Sequence, residues 1–191
     1  MRMPHMTGVV LLFAAGYFAL KWALAASINA ERLVALGGMY HWSALTMMAT
    51  GYGMWIWRQR KSTGSFWGDF KLLAKPLALY AVLAGASVWG WNHVVDLDST
   101  ELRKSLRLAQ IETQTASDEA YTAFLESQEP QDAARFPDRV TYREQAQTQV
   151  SWMLSGGLTF ALALLTYFTA AMLLSLFVTV LLHQIWGVAT L

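Results

Sequence analysis

Long apolar runs alternate with polar segments along this chain, and their lengths predict membrane-spanning helices. About 20 consecutive apolar residues are needed to cross the hydrocarbon core of a bilayer. Four runs approach or exceed that length, at residues 6–28, 37–57, 70–95 and 152–183. The last run has no Asp, Glu, Lys or Arg. The pattern therefore predicts an all-α integral membrane protein with four transmembrane helices.

The only long polar segment, residues 96–150, lies between the third and fourth runs. Within it, six apolar or small residues recur at three- and four-residue spacing, which is typical of one face of an amphipathic helix. These residues are Leu102, Leu106, Ala109, Thr113, Ala116 and Ala120. We expect Ser99 or Thr100 to cap this helix, and Pro130 to end it near Gln128.

A second helix is expected after a turn at residues 130–137. Residues 138–150 contain no Pro or Gly, so this helix is predicted to continue into the last span as one rod ending near His183. The polar segment is therefore predicted to form a helical hairpin outside the membrane. The domain limits that follow are three spans in residues 1–95, the insert at 96–150, and the fourth span in 151–191.

A basic segment at residues 58–75, which joins the second run to the start of the third, predicts which way the protein faces. Five cations lie there against one acid, Asp69; they are Arg58, Arg60, Lys61, Lys71 and Lys75. Short connections rich in Lys and Arg stay on the cytoplasmic side. Both termini are then cytoplasmic and residues 96–150 are extracytoplasmic. All nine tryptophans fall near the ends of the predicted spans, as expected of residues that prefer the membrane–water interface.

Composition agrees with this placement. The chain is 55% hydrophobic and only 14% charged, whereas soluble domains are about 25% charged. Residues 96–150 hold eleven acids and six bases, a net charge of −5, while the remainder holds two acids and eight bases, a net charge of +6. This asymmetry favours two sides of a membrane over a nucleic-acid partner. The absence of cysteine excludes disulfides, thiolate nucleophiles and Cys-ligated metals.

Lys21 interrupts the first apolar run. An alternative interpretation of this run is a signal peptide that ends in the small-x-small sequence at residues 23–25, although Lys21 and Trp22 beside the cut argue against it. An intramembrane charge is a candidate functional group. We expect the Lys21 side chain instead to extend to the outer boundary, where Glu31 is a potential partner.

Small residues one helical turn apart predict close helix packing. Two such pairs lie in the third run, Ala81 with Gly85 and Ala86 with Gly90, and a Gly156-Gly157 pair lies early in the last run. Small residues at this spacing let helix backbones approach closely in membranes. The alternative is that Ala and Gly are simply common in membrane helices.

The chain resembles the domain-of-unknown-function 4199 family of bacterial membrane proteins. The resemblance rests on four spans, the Ser-Phe-x-x-x-Phe-Lys entry to the third span, its Trp-rich exit, and a polar helical insert before the last span. The residues concerned are Ser65, Phe66, Phe70, Lys71, Trp89 and Trp91. The resemblance implies a bacterial inner-membrane protein with a four-helix layout, and it implies no catalytic residues.

The sequence gives little evidence of catalytic or cofactor-binding residues. His41 and His93 lie at similar predicted depth, as do His5 and His183, which allows a haem-binding hypothesis with His41 and His93 as ligands. Histidines at span ends are more often interfacial residues. No catalytic motif or metal-ligand spacing is present, so we predict no cofactor, no metal and no catalytic residue.

The leading hypothesis is a non-enzymatic scaffold, accessory or regulatory membrane subunit. It would contact other membrane subunits, or itself, through the external hairpin and the small-residue helix faces. Two alternatives remain: the haem or redox protein described above, and a small transporter or channel. The transport path would be lined by Ser43, Thr46, Thr50 and Tyr52.

Overall fold

The chain is helical throughout the part that the structure describes. The structure, a computed structural model, describes residues 6–59, 65–128 and 138–184. The helices are α1 (Met6–Ala25), α2 (Ala30–Gln59), α3 (Phe66–Gly90) with a π-helical turn (Trp91–Val95), α4 (Leu97–Gln114), α5 (Asp118–Glu126), α6 (Arg139–Met153) and α7 (Gly156–Gln184). No strand occurs in these ranges. The predicted all-α class is therefore confirmed for them.

The chain divides into two compact units. The bundle unit comprises residues 1–91 and 160–191, and the insert unit comprises residues 92–159. Within the described part of the bundle unit, α1, α2, α3 and most of α7 share one apolar core. The insert unit contains α4, α5 and α6, and it begins four residues before and ends nine residues after the predicted segment 96–150.

Three helices are long and apolar enough to cross a membrane: α1, α3 with its π-helical turn, and α7. The remaining predicted span, the second one at residues 37–57, corresponds to α2, which has 30 residues but is less apolar. At 1.5 Å per residue its length is roughly 45 Å. Its buried face includes His41, so part of its polarity lies inside the bundle.

The predicted start of the second span at residue 37 is wrong: residues 29–36, which the sequence places in a polar turn between the first two spans, belong almost entirely to α2, which already begins at Ala30. The chain turns earlier, at residues 26–29. The side-chain Oδ1 of Asn29 accepts a hydrogen bond of 3.0 Å from the Arg32 backbone N–H. Asn is a favoured N-cap residue, because its side chain satisfies a backbone donor in the first turn.

The continuous rod predicted from Asp138 to His183 is also wrong. The helix breaks at residues 154–155, between α6 and α7. Ser155 then starts the next helix, since its Oγ accepts a hydrogen bond of 3.3 Å from the Leu158 backbone N–H. A Ser followed by two glycines favours this restart over continuation, because Gly is a poor residue for a helix interior.

The long helix predicted up to Gln128 is instead two helices, α4 and α5. Ser117 caps α5 by accepting a hydrogen bond of 3.1 Å from the Ala120 backbone N–H. At the start of α4, Ser99 and Thr100 are not caps, since the helix begins at Leu97. The Thr100 hydroxyl instead donates 2.7 Å to the Asn92 carbonyl oxygen. The turn expected at residues 130–137 lies outside the described residues.

Small residues allow one close helix contact in the bundle core. Ala81 and Gly85 are buried, and a Cβ added at Gly85 would lie 3.3 Å from the backbone of Leu164. By contrast, Ala86 is exposed and a Cβ at Gly157 would meet no atom within 4 Å. The α3 face that carries Ala81 and Gly85 is therefore already used within this chain.

The insert unit has a small core of its own. The rings of Tyr121, Phe124 and Tyr142 pack together, with centroid separations between 5.3 and 6.0 Å. Burial raises the pKa of Tyr121 and Tyr142. Arg139 joins α6 to the α4–α5 turn, with Nη1 donating 2.9 Å to the Thr115 carbonyl and Nε lying 2.8 Å from the Asp118 carboxylate. These contacts hold the three helices together.

Candidate functional site

His41 lies at the centre of the bundle unit. It is fully buried, and its Nδ1 shares a hydrogen bond of 2.8 Å with the Tyr80 hydroxyl. The Tyr17 ring stacks on the imidazole at a centroid distance of 4.3 Å, and the Tyr167 ring lies 4.9 Å away. One residue from each of the four helices therefore meets at this point. We call His41, Tyr17, Tyr80 and Tyr167 the His41 cluster.

A glycine on α2 makes room for this cluster. Gly37 precedes His41 by one helical turn. A Cβ at Gly37 would lie 3.1 Å from Tyr17 Cε2 and 3.6 Å from Lys21 Cε. The missing side chain thus lets α1 bring both residues against α2.

Lys21 is buried beside the cluster, with only 2% of its surface exposed. Its ammonium lies 4.7 Å from the Trp91 ring centroid and 5.3 Å from that of Tyr17. The expected extension to the outer boundary is therefore wrong. Contacts of a cation with aromatic faces contribute about 2 kcal/mol or more when desolvated, which favours the buried position. The Glu31 side chain, its expected partner, lies outside the described residues.

A second buried polar pair links α3 to α7. The Asp69 carboxylate is fully buried and accepts a hydrogen bond of 2.9 Å from His183 Nε2. Asp69 lies in the first helical turn of α3, where Ser65 accepts 3.0 Å from the Gly68 backbone N–H as the N-cap. An acid near a helix N-terminus and a histidine near a helix C-terminus both suit the helix dipoles. The sequence places Asp69 in the basic segment between two predicted spans, and no local pattern indicated this pair.

The predicted haem ligands lie in different units. His41 belongs to the bundle unit, whereas His93 belongs to the insert unit. His93 Nε2 is 3.2 Å from the Thr159 hydroxyl. Among the described residues, no group of three His, Cys, Asp or Glu side chains is positioned to hold a metal ion. His5 lies outside those residues.

The proposed transport path does not form a single lining. Ser43, Thr46 and Thr50 are exposed on the outer face of α2, whereas Tyr52 is buried. Two of the hydroxyls are bonded to their own helix: Thr46 donates 2.9 Å to the Trp42 carbonyl and Thr50 donates 2.8 Å to the Thr46 carbonyl. These four residues therefore do not face one internal channel.

Three of the five cations from which the orientation was predicted lie in the described helices. Arg58 is exposed in the last turn of α2, and Lys71 and Lys75 are exposed in α3. Arg60 and Lys61 lie outside the described residues. The described cations therefore gather at one end of each of these two helices.

The apolar face predicted for the insert points outward. Leu102 is 59% exposed and Leu106 is 61% exposed, and Ala109 and Thr113 are exposed as well. The buried residues of α4 are Thr100 and Ile111, on the opposite side. We call Leu102, Leu106, Ala109 and Thr113 the α4 seam. No element among the described residues of the insert unit covers this largely apolar face of α4.

No protein-family model, curated protein or solved structure matches this chain. Function is therefore inferred from the geometry of the described residues.

Proposed function

We propose that this protein is a non-enzymatic scaffold or accessory subunit of the bacterial inner membrane, and that its insert unit is the docking element. The observation that carries the proposal is the α4 seam, which is exposed although the insert unit has its own aromatic core. Two leucines more than half exposed on one helix face are the kind of surface that a partner covers.

The bundle unit supports a structural role. Its polar groups join helices to each other: His41 bonds to Tyr80, and Asp69 bonds to His183. The small-residue face at Gly85 is likewise occupied by Leu164. These contacts favour a structural role for the bundle unit, so that association with partners depends on the insert.

The proposed topology has four crossings, with α2 as the second. Its length is sufficient, and His41 lies on its buried face, where its Nδ1 bonds to the Tyr80 hydroxyl, rather than facing lipid. The exposed cations Arg58, Lys71 and Lys75 favour a cytoplasmic position for the α2–α3 connection. Both termini are then cytoplasmic and the insert is extracytoplasmic. Membership of the domain-of-unknown-function 4199 family remains a prediction.

Cysteine labelling tests this topology, because the natural chain has no cysteine. Lys61→Cys and Glu119→Cys variants would be exposed to a membrane-impermeant maleimide on intact cells. We expect labelling at position 119 and protection at position 61 until the cells are lysed. The reverse pattern would show that the orientation is inverted.

The docking role is tested by measuring the mass of the protein extracted from its own membranes in a mild detergent. We expect an assembly larger than one chain, which Leu102→Glu with Leu106→Glu disrupts. Val140→Glu is the matched control, since Val140 is also 59% exposed in the insert unit but lies on α6. A wild-type monomer, or equal disruption by both variants, would refute the proposal.

A further inference from the structure

The α4 seam has the spacing of a coiled-coil core. Its residues follow intervals of four, three and four, so Leu102 and Ala109 take heptad position d while Leu106 and Thr113 take position a. Apolar residues at these two positions form the contact line between two supercoiled helices. The Thr113 hydroxyl donates 2.9 Å to the Ala109 carbonyl of its own helix, so that polar group is already satisfied.

The residues beside the seam indicate which helix covers it. With this register, Asp98, Ser105 and Glu112 take position g, and Arg103 and Gln110 take position e. In a parallel pair, each g residue faces the e residue five positions later on the partner helix. Asp98 of one copy then meets Arg103 of the other, and Ser105 meets Gln110. Opposite charges and hydrogen-bonding groups are thus matched.

An antiparallel pair lacks this complementarity. There g residues face g residues and e residues face e residues, so Arg103 no longer meets Asp98 of the other copy. A membrane surface is a poorer occupant, because interfacial helices are rich in Lys and Arg and α4 carries three acids against three bases.

We propose that the α4 seam binds the α4 seam of a second copy of this chain, as a short parallel coiled coil. This inference rests on the proposed docking role of the insert unit and names its partner. Arg103 is already held in place, since its Nη2 donates 3.0 Å to the Thr100 hydroxyl and 3.3 Å to the Asn92 side-chain oxygen, and its Nε donates 3.1 Å to the Ser99 carbonyl. A guanidinium has five donors, so these bonds leave capacity for a carboxylate of the partner.

Disulfide cross-linking in native membranes tests the pairing in the full-length protein. Single cysteines would be placed in the seam as Leu102→Cys, Leu106→Cys, Ala109→Cys and Thr113→Cys. Arg107→Cys is the control, because Arg107 is exposed on α4 but lies outside the seam. A parallel, in-register pair brings identical seam positions together, so we expect each seam variant to cross-link to itself under mild oxidation while position 107 does not.

Each other outcome contradicts the inference in a distinct way. Links only between position 102 of one copy and position 113 of another would show an antiparallel pair. Equal linking at 107 would show random collision. If no seam position links but the extracted assembly persists and still needs Leu102 and Leu106, the partner is a different protein and only the homodimer fails. A monomer in every assay would refute the docking role as well.

A charge reversal tests the predicted pairing of Asp98 with Arg103. Asp98→Lys would place a cation opposite Arg103 on both sides of the dimer. Since an exposed ion pair changes an equilibrium by about twofold, loss of two pairs is expected to lower the cross-linking yield at Leu106→Cys about fourfold. Glu101→Lys is the matched control, because Glu101 lies in the same helical turn at position c. Equal losses from both reversals would refute the predicted register.

Discussion

Replacing Tyr80 with Phe removes one hydroxyl group from the centre of the bundle unit and leaves the ring in place. That hydroxyl shares a hydrogen bond of 2.8 Å with His41 Nδ1, and both side chains are fully buried. The other ring nitrogen, Nε2, has no hydrogen-bond partner among the described residues. The substitution therefore leaves a buried imidazole with neither nitrogen bonded to those residues.

The expected cost is about 1–3 kcal/mol of unfolding free energy, the penalty for a buried polar group that loses its partner. This corresponds to a decrease of about 5-fold to about 150-fold in the folding equilibrium constant. Reversible unfolding by sodium dodecyl sulfate in mixed micelles, followed by helical circular dichroism, measures this quantity for the full-length protein.

Tyr52→Phe is the matched control. Tyr52 is also buried in the bundle, at 8% exposed, but its hydroxyl has no hydrogen-bond partner among the described residues. Removal of that hydroxyl is expected to leave the unfolding free energy unchanged or to raise it. An equal loss of stability in the two variants would show that the His41 contact is not the cause.

A double-mutant cycle with His41→Phe makes the test stricter. Replacing both partners of a buried hydrogen bond by apolar groups is less costly than leaving one unpaired. The double variant should therefore be more stable than the sum of the single losses predicts, by about 1 kcal/mol. Simple additivity would refute the reasoning from the His41–Tyr80 bond.

Three further substitutions should have measurable effects. Gly85→Val should lower the unfolding free energy by about 1–3 kcal/mol in the same assay, because its Cβ would lie 3.3 Å from the Leu164 backbone. Asp69→Asn should cost about 1.5–3 kcal/mol through the weakened bond to His183. Hydrogen bonds from the Thr141 side chain and backbone lower the pKa of Asp138. Its stabilisation of α6 should therefore be complete above a pH of about 4 and be lost as pH falls through the lowered pKa, and circular dichroism during acid titration measures this loss.

Controls for these variants come from the same chain. Gly157→Val should be far less costly than Gly85→Val, because a Cβ there meets no atom within 4 Å. Asp98→Asn should leave stability nearly unchanged, since Asp98 is exposed. Asp138→Asn should remove the acid-dependent part of the helical signal. Equal losses at both glycines or at positions 69 and 98, or an unchanged titration in the Asp138 variant, would contradict the respective prediction.

Local signals predicted much of the helical layout. The apolar runs at residues 6–28 and 70–95 correspond closely to α1 and to α3 with its π-helical turn. The predicted helix boundaries were wrong where a capping side chain sets the start of a helix. Asn29, Ser117 and Ser155 each accept a backbone hydrogen bond that starts a helix. Such residues were visible in the sequence, but the cap depends on local backbone geometry that apolar periodicity does not report.

The candidate site depended on contacts between distant segments. His41 meets Tyr80 across 39 residues, and Asp69 meets His183 across 114 residues. The available signal was the presence of tyrosines inside apolar runs, because a buried hydroxyl usually needs a partner. That signal indicates that a partner exists and does not identify it.

The sequence by itself determined the helical class, three apolar segments long enough for a membrane, and the spacing of the α4 seam, because each depends on residues that are neighbours along the chain. Only the tertiary structure decided which faces are covered. Lys21 is buried because the rings of Tyr17 and Trp91 lie against its ammonium group. Leu102 is exposed because α4 buries the opposite face, which carries Ile111. Periodicity places residues on a common face, whereas packing between helices determines whether that face is covered.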